Sequence, residues 1–328
     1  MTHVVFFQDI EKLSKALTFF HVPTYEHQTI PVKLHMGEIN NKNYPQPEFV
    51  RKVVTLLKNM NAHPFLLDTT VAYPGLRSTK KGYQKLASLH GFTEKKIGCP
   101  VIIDTVGIST KINEYCFNVA VHLAEASHIF SIAHVKGHIQ TGMGGAIKNF
   151  GMGGVTRQTK MMMHHASRPK YIQTNCTFCA ECEKNCIYNA IKVDQKNWKY
   201  NKRKCFGCGV CVDHCTTQAL HYQKADLQFL IACAAYACVH GKKVLYLNEL
   251  KRIAQSCDCD PFPGPFICPD IGYLLSDDPV AIDKASLDLI HAQKKDIFQK
   301  INNVNPYKQI EFGFKLGLGN PTYEMITI

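Results

Sequence analysis

Eight of the 15 cysteines in this 328-residue chain fall between positions 176 and 215. They form two runs, Cys176, Cys179, Cys182, Cys186 and Cys205, Cys208, Cys211, Cys215, each spaced C-x2-C-x2-C-x3-C. The second run repeats the first 29 residues on, and the likeness extends to Ala190-Ile191 and Ala219-Leu220. One short metal-binding unit is therefore duplicated. Three thiolates two residues apart wrap one face of an iron–sulfur cube, and the fourth starts a short helix that points away. In two-cluster ferredoxins that fourth cysteine ligates the other cluster. The spacing predicts two 4Fe–4S clusters. One uses Cys176, Cys179, Cys182 and Cys215; the other uses Cys205, Cys208, Cys211 and Cys186. A pair of zinc ribbons fits less well, because zinc knuckles are usually separated by a long loop and have no use for the third and fourth cysteines. The proline that ordinarily follows the fourth cysteine is replaced by Ile187 and Thr216. That departure leaves cluster binding intact and bears on exposure and potential.

Charge around the cysteines is uneven. Between Ser167 and Gln223 nine Lys/Arg stand against four Asp/Glu, so the segment carries +5 without clusters. Each cluster with its four thiolates brings roughly −2, which makes the loaded segment near neutral. The run from Lys196 to Lys204 has three readings: a solvated loop offsetting cluster charge, a dock for an acidic redox partner such as a ferredoxin or flavodoxin, or a nucleic-acid patch with Trp198 and Tyr200 interleaved. Nucleic acid is not expected as a partner.

A second set of chemical groups lies outside the repeat. Polar residues cluster just beyond short apolar runs: Lys33, His35, Gly37 and Glu38; then Asp68 and Thr69; then Asp104; then Lys136, Gly137 and His138. A Gly-rich stretch follows, with Gly142, Gly144, Gly145, Gly151, Gly153 and Gly154 around Lys148 and Asn149. Such loops can turn backbone N–H groups toward an anion, although this one matches neither phosphate-binding fingerprint. The alternative is a tight-packing loop against the cysteine segment. We take Lys136, His138 and Lys148 as candidate catalytic residues for a small anionic or carbonyl-bearing ligand, and Gly142, Gly144 and Gly145 as candidate binding glycines. Lysines would oppose developing negative charge, His138 would move a proton near neutral pH, and Asp68 and Asp104 would orient them or bind a cation. Cys257 and Cys259, with Cys268 nearby, either share a metal or are free buried thiols. Cys99, Cys116, Cys233 and Cys238 read as core, and His164 and His165 as structural histidines.

These groups need a scaffold. Apolar residues make up 45% and charged residues 20% of the chain, the balance of a globular protein. The formal charge is +12. No apolar stretch reaches membrane-spanning length, and the start MTHVVFFQDIEKLSK lacks a secretory h-region. A reducing, cytoplasmic setting is expected, with the cysteines unpaired. Helical spacing predicts helices over 9–20, 47–60, 79–90, 114–127, 226–239 and a long one over 278–302. Short strands are expected at 30–34, 65–67, 101–103, 128–135 and 244–247. Alternating short strands and helices predict an α/β fold with a mostly parallel sheet. Residues 1–166 and 224–328 would form one body, and 167–223 an inserted α+β two-cluster ferredoxin-like domain. In open parallel sheets, ligands bind beyond the carboxyl ends of the strands, where the polar residues fall.

The chain resembles the domain-of-unknown-function family three-six-two in its ferredoxin-bearing form, widespread in anaerobic bacteria and archaea. The resemblance rests on Lys33-Leu-His-Met-Gly-Glu38, Asp68-Thr-Thr, His134-Val-Lys-Gly-His138, Gly144-Gly-Ala-Ile-Lys-Asn149 and Gly151-Met-Gly-Gly154. It continues through Cys257-Asp-Cys259, Asp270-Ile-Gly272, Asp277-Asp-Pro-Val-Ala-Ile-Asp283 and Leu316-Gly-Leu-Gly319. It implies an iron–sulfur protein and supplies no reaction. Three classes of function follow: an oxidoreductase acting in the α/β crevice, a plain electron carrier, or a reductive maturation factor for a partner protein. Size argues against the carrier, since about 57 residues would suffice for two clusters.

Overall fold

The computed structural model describes residues 2–20 and 25–328. Its central sheet has eight strands: β1 (Thr2–Phe7), β2 (Thr29–Lys33), β3 (His63–Thr69), β4 (Val101–Asp104), β5 (His128–His134), β6 (Lys243–Leu250), β7 (Gly272–Ser276) and β8 (Tyr323–Thr327). In space they run β8-β1-β7-β6-β5-β2-β3-β4. Only β7 is reversed: it pairs antiparallel with β1 and β6, and the other five pairings are parallel. The fold is α/β with a mostly parallel sheet.

The chain moves one way from β2 through β3 to β4, then restarts at β5 on the other side of β2 and continues to β6. That reversal places a topological switch point between β2 and β5, where such sheets open a crevice.

Alternation along the strands sends side chains to two cores. Phe65, Leu67 and Ile129 enter one; Leu66, Phe130 and Ile132 enter the other. Helices cover both faces. On one, helix Pro47–Asn59 starts with proline in its first turn and buries Val50, Val53, Val54 and Leu57. On the other, helix Leu227–Val239 is capped by Asp226, which accepts from Gln228 N. It is apolar on nearly all sides and almost wholly buried. Gly151 and Gly154 let it approach: a Cβ at Gly151 would stand 2.3 Å from Ile231 O, and one at Gly154 2.7 Å from Cys238 Sγ. The Gly-rich stretch thus packs here against the body of the protein, not against the cysteine segment.

Several elements differ from the sequence expectation. In place of a helix over 114–127 there is a hairpin, Gly107–Ile112 with Tyr115–Ala120, and a short helix Val121–Glu125. Ile112 pairs with Tyr115, leaving a two-residue turn in which Asn113 has φ 53°, a conformation asparagine tolerates. The long helix over 278–302 is two helices, Pro279–Gln293 and Ile297–Asn302. They part where Asp296 turns left-handed at φ 56°. The helix over 9–20 shrinks to a 3-10 turn at Ile10–Lys12 and a helix Leu13–Leu17.

Residues 169–222 contribute none of the eight strands. Strand Pro169–Tyr171 pairs with Leu220–Tyr222, closing the segment at its base. Within it, Ile191–Asp194 pairs with Asn197–Tyr200. The 29-residue repeat is also a repeat of conformation. Phe178, Ala180 and Asn189 have positive φ, as do Gly207, Gly209 and Gln218. Helices Glu181–Lys184 and Val210–Asp213 match at the same offset.

Candidate functional site

A cavity of about 600 Å³ opens over the carboxyl ends of β2, β3 and β5, at the switch point. Lys33, Asp68 and His134 rise into it from these strands, and Lys136, His138 and Lys148 line it from the segments that follow β5. The crevice expected from the sequence therefore gathers all three candidate catalytic residues. Asp104 stays outside it. Its carboxylate meets His122 Nδ1 at 2.8 Å and accepts the His122 N–H, so it neither orients the lysines nor joins them at a cation.

The floor is an ionic network. Lys33 Nζ lies 2.9 Å from Asp68 Oδ1, and Arg77 Nη2 lies 3.4 Å from Asp68 Oδ2. Tyr83 OH also donates to Asp68. Burial alone would raise the pKa of Asp68, but Lys33 and Arg77 outweigh it and hold the carboxyl below the usual range. Asn149 bridges the switch point. Its Oδ1 accepts from Lys33 Nζ at 2.9 Å, and its Nδ2 reaches Lys33 O, Ser131 Oγ and Ile132 O at 3.1, 3.1 and 3.2 Å.

A second network holds one wall. Asp258 meets His134 Nδ1 at 2.8 Å and Lys136 Nζ at 3.0 Å, all three buried. Lys136 also donates to His134 O at 2.5 Å. Here too burial raises the carboxyl pKa, and His134 and Lys136 overcome it. Lys136 is thus committed to a buried pair, which favours an anchoring role over contact with a ligand. Asp258 sits between Cys257 and Cys259, and both cysteines line the cavity. Lys148 Nζ stands 3.8 Å from Cys257 Sγ. The contact from Cys259, aided by Lys148 and Lys136, pulls the Cys257 thiol well below the usual range. Cys268 lies in the apolar core instead.

Gly144 and Gly145 line the cavity; Gly142 does not. Gly142 turns at φ 71°, and a Cβ there would stand 2.7 Å from Val304 O. The helix that follows, Ala146–Gly151, does not offer its first amides to a ligand. Ala146 N and Ile147 N donate to Asp283 at 2.7 and 2.9 Å. The expected backbone cradle is filled by the protein's own carboxylate, whose pKa burial lifts to about 6.

His138 is buried and its imidazole is kept neutral, by burial first and then by Lys148 and Lys136. This environment disfavours it as a store of protons at neutral pH. Its Nδ1 lies 3.0 Å from Thr141 Oγ1 and 3.2 Å from Gln140 N. His164, read as structural, also lines the cavity, with burial lowering its pKa to about 4.

Sequence reading did not single out Lys160, Arg77 or Asp258. Lys160 lines the cavity and donates to Thr69 Oγ1 and Thr70 O at 2.6 and 2.7 Å. Burial lowers its pKa to about 7. Among the described residues neither Lys148 nor Lys160 has a carboxylate within 4.0 Å. His35 Nδ1 accepts the Gly37 N–H at 3.1 Å. Its Nε2, also at the cavity, has no partner among the described residues. A buried donor of that kind calls for an acceptor on a ligand.

The repeat's cysteines line two smaller cavities. Cys176, Cys179, Cys182 and Cys215 share one; Cys186, Cys205, Cys208 and Cys211 share the other. Backbone N–H groups of Phe178, Ala190 and Leu220 approach Cys176, Cys186 and Cys215 Sγ at 3.4, 3.2 and 3.3 Å. Such donors suit thiolate sulfur. Tyr188 belongs to the second cysteine cavity and to the main one alike. It stacks on Phe206 at 5.6 Å, which also lines the main cavity. In the basic run, Trp198 stacks on Tyr171 at 4.4 Å and on Tyr200 at 5.5 Å. Those rings pack on one another. Cys99, Cys233 and Cys238 are buried as expected, whereas Cys116 is exposed on its hairpin. Among the described residues no helix is long and apolar enough to cross a membrane.

Fold and cavity define an α/β protein with a ligand-sized crevice at the carboxyl edge of a mostly parallel sheet. The chain belongs to the family described as Domain of unknown function (DUF362), matched over residues 30–288. No curated protein matches it. Among solved structures it is similar to the lactate racemase apoprotein from Thermoanaerobacterium thermosaccharolyticum, with 12% identity and a TM-score of 0.38 over 76% of this chain and 50% of that one. It is also similar to a crystal structure of a Thermotoga maritima protein, with 11% identity and a TM-score of 0.40 over 94% of this chain and 59% of that one. The chain thus spans between half and three fifths of those two chains.

Proposed function

We propose that this protein is an iron–sulfur oxidoreductase whose segment 167–223 is a ferredoxin-like insert carrying two 4Fe–4S clusters, and whose crevice binds the small anionic or carbonyl-bearing molecule on which it acts. The observation that carries the reading is the shared wall: Tyr188 lines both a four-cysteine cavity and the 600 Å³ crevice. The grouping of cysteines supports the crossed assignment, with Cys215 beside the first run and Cys186 beside the second. When bound, the clusters supply electrons one at a time.

The chain's own residues do the rest. Lys148 and Lys160 offer positive charge without a competing carboxylate, where negative charge would develop. Lys160, with a pKa of about 7, holds a proton it can release near neutral pH. Reduction needs such a donor, because an added electron raises the basicity of the acceptor. The Asp258 network keeps Lys136 and the cysteine loop in place. A plain carrier has no use for a cavity of this size lined by buried ionic groups, which favours the oxidoreductase over that alternative.

The deciding experiment is anaerobic purification with mass spectrometry of the small molecules and metals that leave with the protein. A bound small molecule released only on unfolding supports the reading. An empty protein that co-purifies with one partner protein would favour a maturation factor and overturn it.

A further inference from the structure

The geometry points to a separate mononuclear metal site built from His138, Cys257 and Cys259, which takes a divalent cation of the zinc class and leaves one coordination position open to the crevice. The ligand atoms of these three residues lie within 4.8 Å of one another. Around a tetrahedral zinc, sulfurs at about 2.3 Å from the metal are roughly 3.8 Å apart. Closing the set around a cation therefore takes a shift of about 1 Å. Two thiolates and an imidazole are soft and borderline donors, the kind that select zinc over magnesium or calcium.

The supporting contacts favour the same assignment. Thr141 Oγ1 donates to Met143 O at 2.8 Å and sits 3.0 Å from His138 Nδ1. With its own proton spent, the hydroxyl can accept from Nδ1–H, which leaves Nε2 bare as the ligand. Ligating histidines are commonly fixed by such a second hydrogen bond. The Gln140 N–H approaches the same Nδ1 at 3.2 Å; that contact suits the opposite tautomer, and a metal on Nε2 selects the first. The cysteine loop is anchored independently, by Asp258 to His134 and Lys136 and by Asn41 Nδ2 to Asp260 O at 2.7 Å.

The site is distinct from the repeat. The eight cysteines of 176–215 line their own two cavities, whereas Cys257 and Cys259 line the main one. Among the described residues these three form the whole metal-holding group outside the repeat. Three protein ligands with a vacancy is the pattern of catalytic zinc, not structural zinc. His138, Cys257 and Cys259 line the same cavity as Lys148 and Lys160, so a ligand at the open position would share that cavity with both lysines. The ligand class that fits is a small molecule with a carboxylate or carbonyl oxygen, polarised by the cation acting as a Lewis acid. This inference stands whether or not electrons reach the crevice.

The test uses the full-length protein, purified anaerobically with its iron counted. It is incubated with Zn2+, desalted, and analysed for metals and by zinc-edge X-ray absorption. The expected result is one zinc per chain with two sulfurs at about 2.3 Å and a nitrogen at about 2.0 Å. Cys257→Ser and Cys259→Ser should each lose the zinc with iron unchanged, and Cys268→Ser should keep both. Thr141→Val should weaken zinc binding about 10- to 100-fold, the usual cost of removing an orienting partner. An absorption spectrum with four sulfurs, or zinc that survives Cys257→Ser, would overturn the site. So would retention of no zinc by the unaltered, iron-loaded protein, a result that needs no variant to fold.

Discussion

Gln140 Nε2 donates to Tyr188 OH at 2.8 Å, and this bond ties the loop that follows β5 to the cysteine-rich segment. The two residues are 48 positions apart in sequence and meet at the wall shared by two cavities. Tyr188→Phe should therefore leave iron content unchanged and lower the unfolding free energy by about 0.5–1.5 kcal/mol, the net worth of one hydrogen bond. Denaturant titration beside an iron assay checks both. Loss of iron in this conservative variant would mean that Tyr188 shapes the cysteine cavity and not only the contact.

Metal loading tests the crossed assignment. We expect about eight irons and eight acid-labile sulfides per chain. Cys215→Ala should damage the cluster assigned to Cys176, Cys179 and Cys182 and spare the one assigned to Cys205. Zinc in place of iron in the repeat, with no sulfide, would refute the clusters. Loss of only the Cys205 cluster would refute the crossing.

Buried ion pairs are costly to break on one side only. Asp258→Ala strands Lys136 as an unpaired buried cation, and the expected loss is roughly 3–5 kcal/mol. Asp258→Ala combined with Lys136→Met should recover much of it, since a paired charge replaced by apolar volume is often near neutral. Thermal melts of the three variants measure the coupling. Equal losses in the single and double variants would show that the pair is not what Asp258 stabilises.

Lys160 predicts a pH signature. Its folded-state pKa is lowered from 10.5 to about 7 by burial. Between those values the folded protein binds fewer protons than the unfolded chain, so this residue makes stability rise with pH. The burial penalty is fully present below about 7 and fades toward 10.5. Lys160→Met removes the penalty along with the bonds to Thr69 and Thr70. Its Tm relative to the unaltered protein should therefore be higher at pH 6 than at pH 9. A difference independent of pH would place the Lys160 pKa near its ordinary value.

The basic run tests the partner. Lys196, Lys202, Arg203 and Lys204 are exposed, while Lys199 is paired with Asp194 at 2.9 Å. If an acidic ferredoxin or flavodoxin docks here, electron-transfer rates should fall steeply between 0.1 and 1 M salt, as the Debye length drops from about 10 Å to about 3 Å. Changing Lys202, Arg203 and Lys204 to Glu should slow reduction at constant iron content. Rates indifferent to both would assign the run to charge balance.

Local spacing made part of this legible in the sequence. The cysteine repeat was readable because its spacing is written along the chain, and its 29-residue offset survives in the backbone angles of Phe178 and Gly207. Lys136, His138 and Lys148 were readable because they follow the strand that ends at His134. What was missed depends on long-range pairing. Asp258 meets His134 across 124 residues, and Lys160 meets Thr69 across 91. No local pattern marks Lys160, and Asp258 was visible only as the residue between Cys257 and Cys259. β1 and β8 pair across the full length of the chain. Residues 114–127 read as a helix because their apolar residues also suit a 3.6-residue period, whereas 115–120 form the second strand of a hairpin; the Asn113 turn was the available signal.

Asp283 and Asn149 together fix the Gly-rich wall of the cavity. One bolts the start of helix Ala146–Gly151 to the helix Pro279–Gln293, and the other bolts its middle to β2 and β5. The Gly-rich wall, despite its composition, is therefore no door: moving it would sever several buried hydrogen bonds at once. Elsewhere on the lining, Ile39, Leu76 and Ile139 are exposed, and Gly75 has nothing within 4 Å of where a side chain would begin. Exchange of ligand with solvent should then respond to bulk added at position 75 and be deaf to conservative changes among residues 144–146.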